Sequence, residues 1–115
     1  MKDLGFPRSR RLTKQFEYRR QYRTGLKASS EYLTIYARPV EGRKGKVGVV
    51  ASKKLGKATE RNRIRRVLRE IVRTNQHSII DKTDIVIIAK PRALTLPYGE
   101  LAQELFLLLR KSGAS

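Results

Sequence analysis

The chain has 115 residues and not one cysteine, a single histidine, and 10 acidic residues against 27 basic ones. Without cysteine there is no disulfide, no zinc finger, no thiolate cluster and no thiol nucleophile. A reducing, cytoplasmic setting is compatible with that absence. The one histidine, His77, sits in the polar stretch Thr74-Asn75-Gln76-His77 and reads as an exposed residue near a helix end, not as a ligand or base. The few acids are scattered. Asp81 and Asp84 come closest to a pair, and such a pair more often caps turns than holds a cation. No carboxylate cluster suits two-metal phosphoryl chemistry, no glycine-rich loop carries a lysine and hydroxyl for phosphate, and no Ser-His-Asp set exists. If the chain takes part in catalysis, its partner supplies the catalytic groups. No apolar run reaches the ~18 residues of a membrane span. Met1 to Pro7 lacks the apolar core of a secretory signal.

What the chain has in excess is positive charge, a formal net of +17. Such a density works against a compact fold by self-repulsion and calls for a polyanionic partner. Nucleic acid, an anionic membrane and an acidic protein all qualify by composition. The charge is uneven: residues 1–27 hold nine basic and two acidic residues, residues 43–73 hold twelve and two, and residues 74–115 hold five and four. In the densest segment arginine is favoured over lysine, which leans toward bidentate recognition of phosphate.

The hydrophobic pattern predicts one α+β domain over 1–115, a small sandwich of helices on a sheet. Phe6-Pro7 is extended. Thr13 caps a helix running to about Arg23, and Gly25 stops it. A strand is predicted over 31–38, ended by Pro39, then a turn or hairpin loop over 41–45 and a strand over 46–51. A further short strand near 43–51 is an option. Thr59 opens the clearest helix, in which Ile64, Val67, Leu68, Ile71 and Val72 form one apolar stripe. Residues 84–89 read as a central strand, and 97–110 as a last helix with Leu101, Leu105 and Leu108 inward.

Two constellations bear on function. Six arginines lie between 61 and 73, and Arg61, Arg65, Arg69 and Arg73 repeat at four-residue spacing, away from the apolar stripe. Isolated, they would repel one another, and a row of phosphates would remove that cost. The stripe places these arginines on one shared outer surface. The preceding loop adds Lys53, Lys54 and Lys57 at a helix start, where backbone N–H groups also attract anions. The second constellation is aromatic: Tyr18 and Tyr22 share a helix face among Arg19, Arg20 and Arg23, and Tyr32 and Tyr36 share a strand face. Rings among basic residues form a stacking platform for unpaired bases. Phe16 reads as core, Tyr18, Tyr22 and Tyr36 as platform, and Tyr32 as either.

The stretch from Ser52 through Glu70, with Arg61-Asn62-Arg63 at its centre, resembles the signature of the protein subunit of bacterial ribonuclease P. The resemblance extends through Phe6-Pro7, Arg11-Leu12, Phe16 to Gly25, Val47-Gly48 and Asp84 to Lys90. It implies a fold like domain 2 of ribosomal protein S5, with a left-handed βαβ crossover. It implies no catalytic residue in the protein and no metal site of its own, because a catalytic RNA, in a 1:1 complex, cuts precursor tRNA with Mg2+ bound mainly by that RNA. Lys53, Lys54, Lys57, Arg61, Asn62, Arg63, Arg65, Arg66 and Arg69 then face the catalytic RNA, and Tyr18, Tyr22, Tyr36 and Arg19 the 5′ leader. The family usually carries phenylalanine where Tyr18 and Tyr22 stand. Rival readings are a ribosomal or general RNA-binding protein, a protein-only nuclease, and a membrane-surface protein. The acids do not favour the nuclease, and the helices lack the aromatics of the membrane binder.

Overall fold

A computed structural model describes residues 10–75 and 82–113. The expectations on Phe6-Pro7, His77 and Asp81 fall outside them. The elements are α1 (Gln15–Thr24), β1 (Leu26–Ser29), β2 (Leu33–Pro39), β3 (Val47–Val50), α2 (Ala58–Thr74), β4 (Thr83–Ala89) and α3 (Tyr98–Ser112). Single 3-10 turns at Lys53–Leu55 and Pro91–Thr95 precede α2 and α3. The four strands form one sheet in the order β1-β2-β4-β3, antiparallel except for the parallel pair β3 and β4, which α2 joins.

Strand β4 takes the centre because it is apolar on both sides, with Ile85, Val86 and Ile87 fully buried. Of the turn or hairpin loop expected over 41–45, the hairpin is not formed. Strands β2 and β3 are not neighbours, and β4 lies between them. A turn signal such as Glu41-Gly42 marks where the chain bends, not which strand it meets next. Strand β1 was not expected at all. Its sequence Leu-Lys-Ala-Ser has one buried residue, Ala28, and its pairing with β2 makes it a strand.

Alternation along the strands gives the sheet two different faces. Leu33, Ile35, Val47, Val49, Ile85 and Ile87 point to α2 and α3 and join Ile64, Leu68, Ile71, Leu101, Leu105 and Leu108 in the core. The opposite face carries Tyr36, Arg38, Gly48, Val50, Asp84, Val86 and Ile88, and α1 crosses it.

Neither basic helix has a side-chain cap hydrogen bond, so the cap expected from Thr13 is not formed, and α2 begins just ahead of Thr59. Lys14 and Lys57 occupy the cap positions, one or two residues away from Thr13 and Thr59. In each, a glutamate three residues on supplies the oxygen. Glu17 Oε1 accepts from the Thr13 and Lys14 N–H groups, at 3.1 Å each, and Glu60 Oε1 from the Lys57 N–H at 3.0 Å. At the start of α2 a carboxylate therefore already takes the Lys57 N–H. Helix α3 ends at Gly113, whose φ of 82° is the left-handed conformation that glycine adopts at no cost.

Candidate nucleic-acid interface

Helix α1 is amphipathic in an unusual sense: its buried residues are Glu17 and Gln21, both polar. Gln21, 1% exposed, donates from Nε2 to the carbonyls of Tyr36 (2.9 Å) and Asp84 (2.7 Å). Glu17 Oε2 pairs with Lys46 Nζ at 3.2 Å. Burial pushes the Glu17 carboxyl up, but the two backbone N–H bonds and Lys46 outweigh it, and its pKa falls below the usual glutamate value. With Glu17 and Gln21 inward, the helix turns Tyr18 and Tyr22 to one flank and Phe16 and Arg20 to the other.

The tyrosine flank forms a row of rings. Tyr18 and Tyr22 stand 6.4 Å apart, centroid to centroid, tilted by 45°. Tyr22 meets Tyr36 edge-on at 5.0 Å, and Lys27 Nζ lies 5.7 Å from the Tyr36 centroid. Tyr18 lies against Gly48, and its hydroxyl donates to the Leu12 carbonyl at 3.1 Å. Beyond the rings, Val50 and Ile88 of the same sheet face are only half-buried. Burial first, and the neighbouring ring second, raise the pKa of Tyr18 and of Tyr22, which keeps both phenols neutral near an anion.

The row runs into the basic helix. Arg69 of α2 interacts with Tyr18, Arg11 and Arg65. Burial, followed by the charges of Arg11 and Arg65, lowers its pKa. Arg65 donates to the Ala51 carbonyl (3.0 Å) and to Asn62 Oδ1 (3.2 Å). Arg63 reaches the Leu94 carbonyl on the opposite flank of α2, Arg66 is exposed, and Arg73 pairs with Glu70. The arginines thus do not share one outer surface, as the apolar stripe had suggested. Arg65 and Arg69 turn toward the tyrosines, and Arg63 turns away. Lys53 and Lys54 are exposed on a turn anchored by buried Leu55, and Lys57 is exposed at the start of α2. Arg19 is exposed on α1.

Two aromatic expectations change. Phe16 is 57% exposed and not core, because the helix phase set by Glu17 and Gln21 turns it outward against Lys14 and Arg20. Tyr32 precedes β2 and packs on the α3 side of the sheet beside Leu96 and Leu107, so it does not share a face with Tyr36. Gln21, Gly48, Lys27 and Arg11 belong to the site and were not singled out from the sequence as site residues. The one available signal was Gln21, an uncharged polar residue four positions after Glu17 and so on the same helix face. Asp84 caps no turn. It is 1% exposed and bound by Arg43 through both oxygens, at 2.9 and 2.6 Å.

The family model described as Ribonuclease P matches residues 6–113. The chain belongs to the ribonuclease P protein family. It is 34% identical over 111 residues to the ribonuclease P protein component of Syntrophus aciditrophicus, covering 96% of this chain and 93% of that one. Against the component of Clostridioides difficile it is 31% identical, with 97% and 99% covered. The RNase P protein of Staphylococcus aureus superposes with a TM-score of 0.79 at 27% identity, over 90% of this chain and 94% of that one. The RNase P protein of Thermotoga maritima superposes at 0.77 and 28%, over 87% and 96%. The chain is therefore a protein subunit of ribonuclease P, the RNA-based holoenzyme of tRNA 5′ processing. Membership disfavours the general RNA-binding reading. No helix among the described residues is long and apolar enough to cross a membrane.

Proposed function

We propose that the tyrosine row takes the single-stranded 5′ leader of precursor tRNA, while the Lys53–Lys57 loop and the arginines of α2 hold the catalytic RNA, one protein to one RNA, in the cytoplasm. The observation that carries this reading is the continuity of Tyr36, Tyr22 and Tyr18 with Arg69 and Arg65. Neutral π-faces accept bases of any identity, and the cations that follow mark where the leader meets the catalytic RNA held by α2. Lys53, Lys54, Lys57, Arg61, Asn62, Arg63 and Arg66 lie on the α2 side of this row, where a structured RNA would meet them.

Magnesium in this reading sits on the RNA. The two buried carboxylates among the described residues, Glu17 and Asp84, are both taken up by basic side chains and backbone N–H groups. These residues do not fit a magnesium ion, and no step is assigned to one on this chain. The testing experiment compares precursor tRNA with mature tRNA on the reconstituted holoenzyme. Loss of Tyr22 or Tyr36 should weaken the precursor alone. Equal weakening of both ligands overturns the leader assignment.

A further inference from the structure

The flank of α1 opposite the tyrosines carries a second basic site. A recess of about 530 Å³ there is lined by Arg20, Arg38, Pro39, Val40, Glu41 and Arg43. Arg43 is fixed by its two-oxygen contact with Asp84, and Arg38 stands 3.6 Å from the same carboxylate. One carboxylate therefore serves two guanidiniums, and Arg20 adds a third cation whose recorded neighbour is the Phe16 ring. The Nε atoms of Arg20 and Arg38 are buried without an acceptor. Buried N–H groups without acceptors are costly, so the cluster is short of oxygen atoms. An adjoining recess that shares Glu41 and Arg43 adds Lys44 and Lys82.

We propose that Arg20, Arg38 and Arg43 form a phosphate pocket that holds one RNA backbone phosphate, separately from the leader row. The chemistry matches: planar guanidiniums present forked donors to phosphate oxygens, and one of them is already locked in orientation by Asp84. A phosphate in the recess accepts from the guanidinium edges that line it. It also balances a corner where five cations face Asp84 and Glu41. Glu41, on the rim, opposes the anion and sets a ceiling on its affinity. Because α1 stands between this pocket and the tyrosines, the phosphate belongs to another stretch of RNA than the bases on the rings.

The test uses the full chain with the catalytic RNA alone, and the reconstituted holoenzyme with leaderless tRNA and with precursor tRNA, each titrated across salt. Arg20→Gln is the main variant, since none of the ion pairs among the described residues involves it. Arg38→Gln is the second, because Arg43 still holds Asp84. Arg110→Gln, exposed on α3 across the sheet, is the control. Each pocket variant should weaken one of the three RNAs about fivefold. The double variant should lower the salt slope by about one unit, not two, since one phosphate is shared. Glu41→Gln should tighten the same RNA. The RNA that responds identifies the source of the phosphate. Equal losses for Arg110→Gln and Arg20→Gln, or no loss on any RNA, overturn the pocket. Loss of the Tyr22→Ala effect on precursor would overturn the leader row and leave this result standing.

Discussion

The ring of Tyr18 rests on the backbone of Gly48. A Cβ built at Gly48 would lie 2.6 Å from the Tyr18 hydroxyl and 2.8 Å from a ring carbon. The wall of the tyrosine row therefore depends on a missing side chain in β3. Gly48→Ala should displace Tyr18, break its bond to the Leu12 carbonyl, and cost about 1–3 kcal/mol as overpacking does. Thermal melts would read the cost, and precursor affinity should fall with it. A variant with wild-type melting and wild-type precursor binding contradicts the contact.

Tyr22 is 41% exposed and touches both neighbouring rings, so it carries the most accessible stacking surface of the row. Tyr22→Ala should cost roughly 1–3 kcal/mol toward precursor tRNA, the value of one base on one ring. Mature tRNA should bind as before. Tyr22→Phe keeps the π-face and should restore binding. Filter-binding or fluorescence titration of both tRNAs would decide it.

Removing Arg61, Arg65 and Arg69 together should flatten the salt dependence of catalytic-RNA binding by about three units, one per lost phosphate contact. Arg73→Ala should leave the slope in place, because Arg73 is engaged by Glu70. A slope that the triple variant does not change would remove α2 as the anchor.

The Glu17 carboxyl has a lowered pKa in the folded protein. A group lowered on folding contributes stability above its unfolded value, and that contribution disappears as pH falls through the folded value. Stability should therefore decline below about pH 4.5, the ordinary glutamate value. Glu17→Gln should melt lower at neutral pH and show a shallower acid limb. Urea titrations between neutral and acid pH would show whether the two curves converge. Parallel curves would separate Glu17 from the acid limb.

Local pattern made some of this architecture readable in advance, and long-range pairing hid the rest. Ile64, Leu68, Ile71 and Val72 announced α2 and its buried stripe because a helix repeats its own geometry every turn. The run from Ile85 to Ile88 announced a central strand because only a doubly covered strand tolerates such continuous hydrophobicity. Nothing local told that β3 would lie beside β4 and not beside β2, since that choice is made by α2 crossing the core. Phe16 went astray for a different reason. A phenylalanine on a helix is usually read inward, but α1 faces carbonyls and a carboxylate, and only polar residues satisfy them. The tyrosine row was legible by residue type and spacing. Its continuity with Arg69 was not, because the two helices are distant in sequence.

The two faces of the sheet differ in what holds them down. On one, α2 and α3 are fastened by apolar surface withdrawn from water. On the other, the fully buried side chains of α1 are the polar Glu17 and Gln21, so hydrogen bonds and an ion pair join the packing of Tyr18 on Gly48 and of Tyr22 on Tyr36 in fastening it. Such bonds contribute about 0.5–1.5 kcal/mol each once exchange with water is counted. Helix α1 is therefore expected to open in a sub-global step below the free energy that unfolds the core, which amide exchange would read. RNA held against either flank of α1 closes that step, so the amides of this one helix carry a record of occupancy that the rest of the fold does not.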